Sequence, residues 1–294
     1  MKYLLTAASF LGLAWGTAAA EMLDPKDPDD QLTIARRVIC STEDGKDITY
    51  YWSGDAYSRR MGERDKLLFK VVGMNVRACS TVEDKKRGTG FKSVSREILL
   101  YLDPKTGKVL KTWDNPWSEE TVEVYHVSND PVNFELYEKQ ADGKPYMWPG
   151  SITNDVWYQR NTVPLYYPNP LGGKYQVEVG GTYHATEMFN FFGDTTGLLD
   201  TEVENPNVHV SWERMSDWLP WMKMAGREGL IYFHTAGLKL DSWDEMPELM
   251  KSEIRKHYPE YAGPPPLDDD RRNVTSWSWY ADVKEGRREP PNRK

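Results

Sequence analysis

The sequence predicts an all-β protein, mainly antiparallel, curled into a closed or nearly closed β-barrel with a few peripheral helices. Three observations carry that prediction. Apolar residues recur mostly at period two rather than at helical spacing. Candidate strands follow one another at hairpin spacing with few helical segments between them, which excludes a doubly wound α/β sheet. Several strands also carry bulky groups on both faces, as expected where one face lines an interior and the other is covered. Barrels of about eight strands can hold one small ligand.

The chain opens with Lys2, an apolar run over residues 4–15 and three alanines at 18–20. This is the pattern of a secretory signal peptide over residues 1–20. The run is shorter than the roughly 20 apolar residues that span a bilayer, and no later charge-free segment reaches that length. The expectation is one β-rich domain over 21–294, with no membrane span after cleavage, in the bacterial periplasm or secreted. In a eukaryotic secretory pathway Asn273-Val274-Thr275 would be a glycosylation acceptor. The formal charge of −8, or −9 without Lys2, argues against nucleic acid as a partner. The basic stretches Lys85-Lys86-Arg87 and Arg287-Arg288 are short and read as solvated charge.

After the leader, Asp30 is a candidate cap for the helix QLTIARRVI, with Leu32, Ala35 and Val38 near one face. Strands are expected over 47–59 (DITYYWSGDAYSR) and 66–79 (KLLFKVVGMNVRAC). The two cysteines, Cys40 and Cys79, permit one disulfide, worth roughly 3 to 4 kcal/mol in an oxidising compartment. Two buried thiols are the alternative, and no CxxC supports a redox motif. In SREILLYLDPKTGKVLKTW, two apolar runs flank the turn residues 103–107, where Pro104 pre-sets a turn and Gly107 accepts positive φ. Further strands are expected at 121–127, 153–160, 174–179, 182–192, 207–213 and 229–237. A C-terminal helix is expected at about 241–257, capped by Asp241 or Ser242, with Met246, Leu249, Met250 and Ile254 at helical spacing. A Pro-rich tail follows, and its acidic residues Asp268, Asp269 and Asp270 read as solvated rather than as a metal site.

Between the strands at 207–213 and 229–237 lies SDWLPWMKMAGREG, whose Pro220 rules out a regular central strand. A connection this apolar must bury itself. It is expected to plug one end of the barrel, or to form the wall of an apolar pocket, where Trp and Met offer broad, adaptable surface. WERMSDWLPWMKMAGREGLIYFHTAGLKL and, downstream, YAGPPPLDDDRRNVTSWSWY resemble the closing part of a bacterial and fungal family known as domain of unknown function 1838. The resemblance covers most of the chain after the leader. It implies a domain type and supplies no activity, cofactor or catalytic residue.

The sequence has no GxSxG, P-loop or HExxH motif, and Gly88-Thr89-Gly90 lacks a following helix and reads as a turn. No cofactor and no metal are therefore expected. Of the five histidines, His126 reads as a hydrogen-bonded core residue and His257 as a helix-end residue. His184, His209 and His234 lie on three consecutive strands that should pair. If they converge, they form with Glu213 and Tyr232 a candidate acid–base set, since imidazole titrates near neutral pH. Trp212, Trp218, Trp221, Met222, Met224, Met188 and Asn190 are the candidate ligand-binding residues. On 182–192 the row Tyr183, Phe189 and Phe191 is expected outside under helices, with His184, Thr186, Met188 and Asn190 inside. The expected function is binding of an apolar or aromatic small molecule, with lyase, isomerase or hydrolase chemistry on it. A carrier and a structural envelope protein are the alternatives.

Overall fold

A computed structural model describes residues 21–168 and 181–289. The leader, the strand expected at 174–179 and residues 290–294 lie outside the described residues. Seven long strands are β1 (Ile48–Arg59), β2 (Lys66–Asp84), β3 (Gly88–Leu102), β9 (Val156–Pro168), β10 (Thr182–Asp194), β11 (His209–Ser216) and β12 (Leu230–Leu240). With the short strands β6 (Val127–Asn129), β7 (Phe134–Tyr137) and β8 (Gly150–Thr153) they form one antiparallel sheet. Its order is β6-β3-β2-β1-β12-β11-β10-β9-β8, with β7 also on β3. A separate pair is made by β4 (Thr112–Asp114) and β5 (Thr121–Glu123). Helices are α1 (Gln31–Ile39), α2 (Thr195–Leu199), α3 (Glu248–His257) and α4 (Ser276–Lys284).

Two meanders, β1 to β3 and β9 to β12, are joined where β1 pairs β12 from Thr49↔Leu240 to Arg59↔Leu230. The fold is thus mainly antiparallel β, but among the described residues no ladder joins β6 or β7 to β8 or β9. The expected hydrogen-bonded barrel closure is absent there, because α4 occupies the gap. The Trp277 ring lies 4.5 Å from Tyr183 of β10, while Tyr280 and Trp279 contact Tyr125, just before β6, at 4.9 and 5.6 Å. A helix satisfies its own backbone groups and so packs beside a sheet without extending its ladder.

This helix was not expected. Its capping box uses Thr275 and, at the third helical position, Ser278 in place of the usual Glu or Gln. α1 forms as expected, although the Asp30 carboxylate accepts from the Asp24 N–H at 2.7 Å rather than capping the helix. Its Ile34, Ala35 and Val38 pack against Tyr50, Trp157 and Leu198. Cys40, at its end, is joined by a disulfide to Cys79 of β2. α3 starts later than expected, at Glu248, because Pro247 lacks an N–H and suits only a helix start. Met246, Met250 and Ile254 cover the outer face of β2 and β3 at Met74, Val76, Ile98 and Leu100, while Leu249 is exposed. The turn at 103–107 forms with Gly107 at φ 68°. Its second arm is only a bridge, Leu102↔Val109, and leads into the β4–β5 pair.

In the Trp/Met-rich bend, Pro220–Met222 forms one 3-10 turn. Trp218, Leu219, Trp221, Met222 and Met224 are buried with Phe69, Tyr101, Trp113 and Phe233. Trp221 touches Phe69, Tyr101 and Trp113 with ring centroids 5.4 to 6.1 Å apart. Asn115 Nδ2 donates to Met222 O at 2.9 Å and pins the turn. The bend is a plug that fills the concave side of the sheet at one end.

Candidate functional site

Period two decides what enters the concave side. On β2 one row reads Phe69, Val71, Gly73, Asn75, Arg77, and its partner row on β3 contains Glu97, Leu99 and Tyr101. Rows from β10 (Tyr183, Glu187, Phe189) and β11 (Val210, Trp212, Arg214) face them across the interior. Between the plug and α1 they leave a cavity of about 350 Å³. Small-molecule sites generally fall between about 300 and 1,000 Å³.

One wall is aromatic. Trp52 and Trp212 lie 6.4 Å apart, and Phe189 and Phe191 stack at 6.3 Å with 4° between their planes. Leu99, Val127 and Leu165 add aliphatic surface. The Trp52 Nε1–H has no hydrogen-bond partner among the described residues, so this wall also offers a buried donor.

Charge is concentrated on four side chains. Arg214 Nη1 donates to Glu187 Oε1 at 3.1 Å, and Arg214 Nη2 donates to the Tyr183 hydroxyl. Arg77 Nε donates to Asn75 Oδ1 at 2.7 Å, and its guanidinium lies over the Tyr50 ring at 5.2 Å. Asn129 Nδ2 donates to Glu97 Oε1 at 3.3 Å. Burial first, and then the nearby Glu187 charge, push the Glu97 carboxyl up to about 7, against the pull of Arg214 and Arg77. Glu97 and Glu187 belong to strands five apart in the sheet order. Both nevertheless line the same cavity, so the sheet curls far enough to bring them together.

One side of the cavity is fixed by the segment before α4. Arg271 bonds Asp269 Oδ1 at 2.8 Å and Asp130 Oδ1 at 2.7 Å. Asn273 accepts from Asn133 N at 2.7 Å and donates to Asn133 O at 2.8 Å. These contacts hold Asn273, Val274 and Trp277 against the cavity. Asp269 is therefore buried and paired rather than solvated, and its bonds to Arg271 hold its carboxyl down at about 2. The Asn273 amide that would carry a glycan is engaged in the same contacts.

The expected histidine cluster does not form. Along the paired strands, Glu213 lies opposite both His234 and Met188. His184 precedes Met188 by four residues, while His209 pairs with Phe192, four residues beyond it. At about 3.4 Å per residue, each histidine lies ~14 Å along the sheet from the row of His234, in opposite directions. All three are on the convex face. His184 and His234 are exposed, and His209 stacks on Phe192 at 5.4 Å. Glu213 accepts from Asn190 Nδ2 at 2.9 Å and from Ser211 Oγ, and the Tyr232 hydroxyl donates to Asp65 Oδ2 at 3.0 Å. Met188, Asn190, Glu213 and Tyr232 are thus outside the cavity as well. The faces of β10 are reversed relative to expectation because α3 covers β2 and β3 and leaves β10 bare, so the aromatic row of β10 must turn inward.

Of the expected ligand-binding residues, Trp212 lines the cavity. Trp218, Met222 and Met224 are core of the plug, and Trp221 borders a neighbouring void of about 30 Å³. His126 is a core residue, accepting from Tyr101 N at 3.0 Å through Nδ1 and facing Leu110 O at 2.9 Å through Nε2. Among the described residues no group of three His, Cys, Asp or Glu side chains is placed to hold a metal ion. Arg77, Glu97, Glu187 and Arg214 were missed. Their signal is a charge in the middle of a strand whose other row is apolar, such as Arg77 beside Met74, Val76 and Ala78.

A family model described as "Protein of unknown function (DUF1838)" matches residues 45–284. No curated protein matches the chain.

Proposed function

The chain belongs to the DUF1838 family, and for this member we propose that it binds an apolar or aromatic small molecule inside the curled sheet, outside the cytoplasm. The observation that carries the reading is the cavity of about 350 Å³ between an aromatic wall and four convergent charged side chains. A purely structural envelope protein has no use for such a space, since a filled interior is more stable than a hollow one. In this reading the sheet works as a nearly closed barrel, sealed by α4 and plugged by the Trp/Met-rich bend. Export follows from the leader pattern and agrees with the Cys40–Cys79 disulfide.

A second reading is turnover of the same ligand without a cofactor. Glu97 favours it, because a carboxyl titrating at about 7 is poised to exchange protons near neutral pH. Glu97 then takes the role expected of the histidines, with Arg214 and the Tyr183 hydroxyl beside it.

One experiment tests both. The purified protein is incubated with a small-molecule extract, and bound and free ions are followed by mass spectrometry. Retention of an unchanged ion by the wild type but not by Leu165→Trp, which fills the cavity from β9, supports a carrier. Depletion of one ion with growth of another, lost in Glu97→Gln, supports an enzyme. Equal retention and turnover in wild type and Leu165→Trp overturn the cavity as the site.

A further inference from the structure

The charges in the cavity are not evenly matched. Arg214 is neutralised by Glu187 at 3.1 Å. Among the described residues Arg77 has no such partner. Its diagonal neighbour across the β2–β3 ladder is Glu97, since Asn75 pairs with Glu97 and Arg77 with Ser95. Burial and Glu187 hold Glu97 toward its neutral form, so at neutral pH it supplies only part of a negative charge.

Among the described residues the Arg77 guanidinium makes one hydrogen bond, through Nε to Asn75. Both terminal amino groups are uncommitted. Burial disfavours its charge, pulling it below the usual guanidinium range. A planar fork of donors with an unspent positive charge, in a space lined by rings, is matched by a carboxylate. The rings of Trp52, Trp212 and Phe189 supply flat apolar surface beside it.

Resting on the cavity reading above, we infer that the ligand is an aromatic carboxylate, with its ring system against Trp52, Trp212 and Phe189 and its carboxylate on the Arg77 guanidinium, next to Glu97. A neutral Glu97 donates its O–H to the incoming carboxylate, and an ionised one repels it. Binding therefore takes up a proton, and affinity rises as pH falls through the Glu97 transition.

The test compares naphthalene-2-carboxylate with naphthalene-2-carboxamide, which has the same shape and no charge. Isothermal titration is run on the wild-type protein at pH 6 and pH 8. The acid is expected to bind at least tenfold more tightly than the amide, more tightly at pH 6 than at pH 8, and with proton uptake revealed by buffers of different ionisation enthalpy. Arg77→Met should bring the acid down to the level of the amide, and Glu97→Gln should make acid binding equal at pH 6 and pH 8. The wild-type comparison needs no variant and holds even if Arg77→Met does not fold. Equal binding of acid and amide, both lost in Leu165→Trp, overturns the carboxylate inference and leaves the cavity reading standing. Absence of binding by either compound overturns the inference, and the extract experiment then judges the cavity on its own.

Discussion

Trp52 and Gly73 are directly paired across the β1–β2 ladder, and the glycine has no side chain because the indole occupies its place. A Cβ on Gly73 would lie 2.4 Å from Trp52 Nε1 and Cε2. Contacts under about 3 Å force something to move. Gly73 thus sets the position of the ring that forms one wall of the cavity.

The first prediction concerns that pair. Gly73→Ala should displace the Trp52 indole and destabilise the fold by roughly 1 to 3 kcal/mol, the usual cost of overpacking. Thermal unfolding and intrinsic tryptophan fluorescence read both effects. An unchanged melting temperature and spectrum would show that the ring does not depend on the missing side chain.

Glu97 should give stability a measurable pH slope. Its folded-state transition lies at about 7, above that of a free carboxyl, which titrates at about 4.3. Between these values the folded state holds the extra proton. The contribution is therefore present below about 4.3 and is lost as pH rises through 7. Glu97→Gln should flatten this part of the profile, as measured by denaturant unfolding at pH 5, 6, 7 and 8. A slope unaltered by the substitution would assign it elsewhere.

Removing the disulfide is expected to cost about 2 to 5 kcal/mol. The bond closes a loop of 39 residues between the end of α1 and β2. The double variant Cys40→Ala, Cys79→Ala should unfold at lower denaturant than the oxidised wild type, and reduced wild type should match it. Equal midpoints for all three would mean that the packing of Phe91, Leu32 and Leu136 around the pair suffices.

The convex-face histidines should be dispensable. His184→Ala, His209→Ala and His234→Ala alter surface positions and should each shift stability by less than about 0.5 kcal/mol. Retention and turnover in the extract experiment should match wild type. A loss in any of the three would return the site to the outer face.

Much of the fold was legible because it depends on local rules. Period-two patterning placed β1, β10, β11 and β12 close to their observed bounds and the start of β2, which runs on to Asp84, and the Pro104 and Gly107 turn followed from backbone preference. The pairing of three consecutive strands, β10 to β12, also followed. α4 was hidden because three aromatic residues in ten around a Ser-based capping box have no clear helical stripe. The start of α3 was misplaced because Pro247 outweighed the apolar spacing before it.

By itself the sequence determined the strand-rich architecture, the burial of the Trp/Met-rich bend and the two rows of side chains on each strand. Which row faces inward was decided only by the tertiary structure. Period two separates the faces of a strand but does not label them, and on β10 both rows carry bulky groups. The label comes from distant chain: α3 covers the outside of β2 and β3, and α4 packs its Trp277 against Tyr183 of β10. That choice put His184, His209 and His234 on the convex face. It brought Arg77, Glu97, Glu187 and Arg214, from four different strands, into one cavity. Such convergence depends on how far the sheet curls, which no local stretch of sequence encodes.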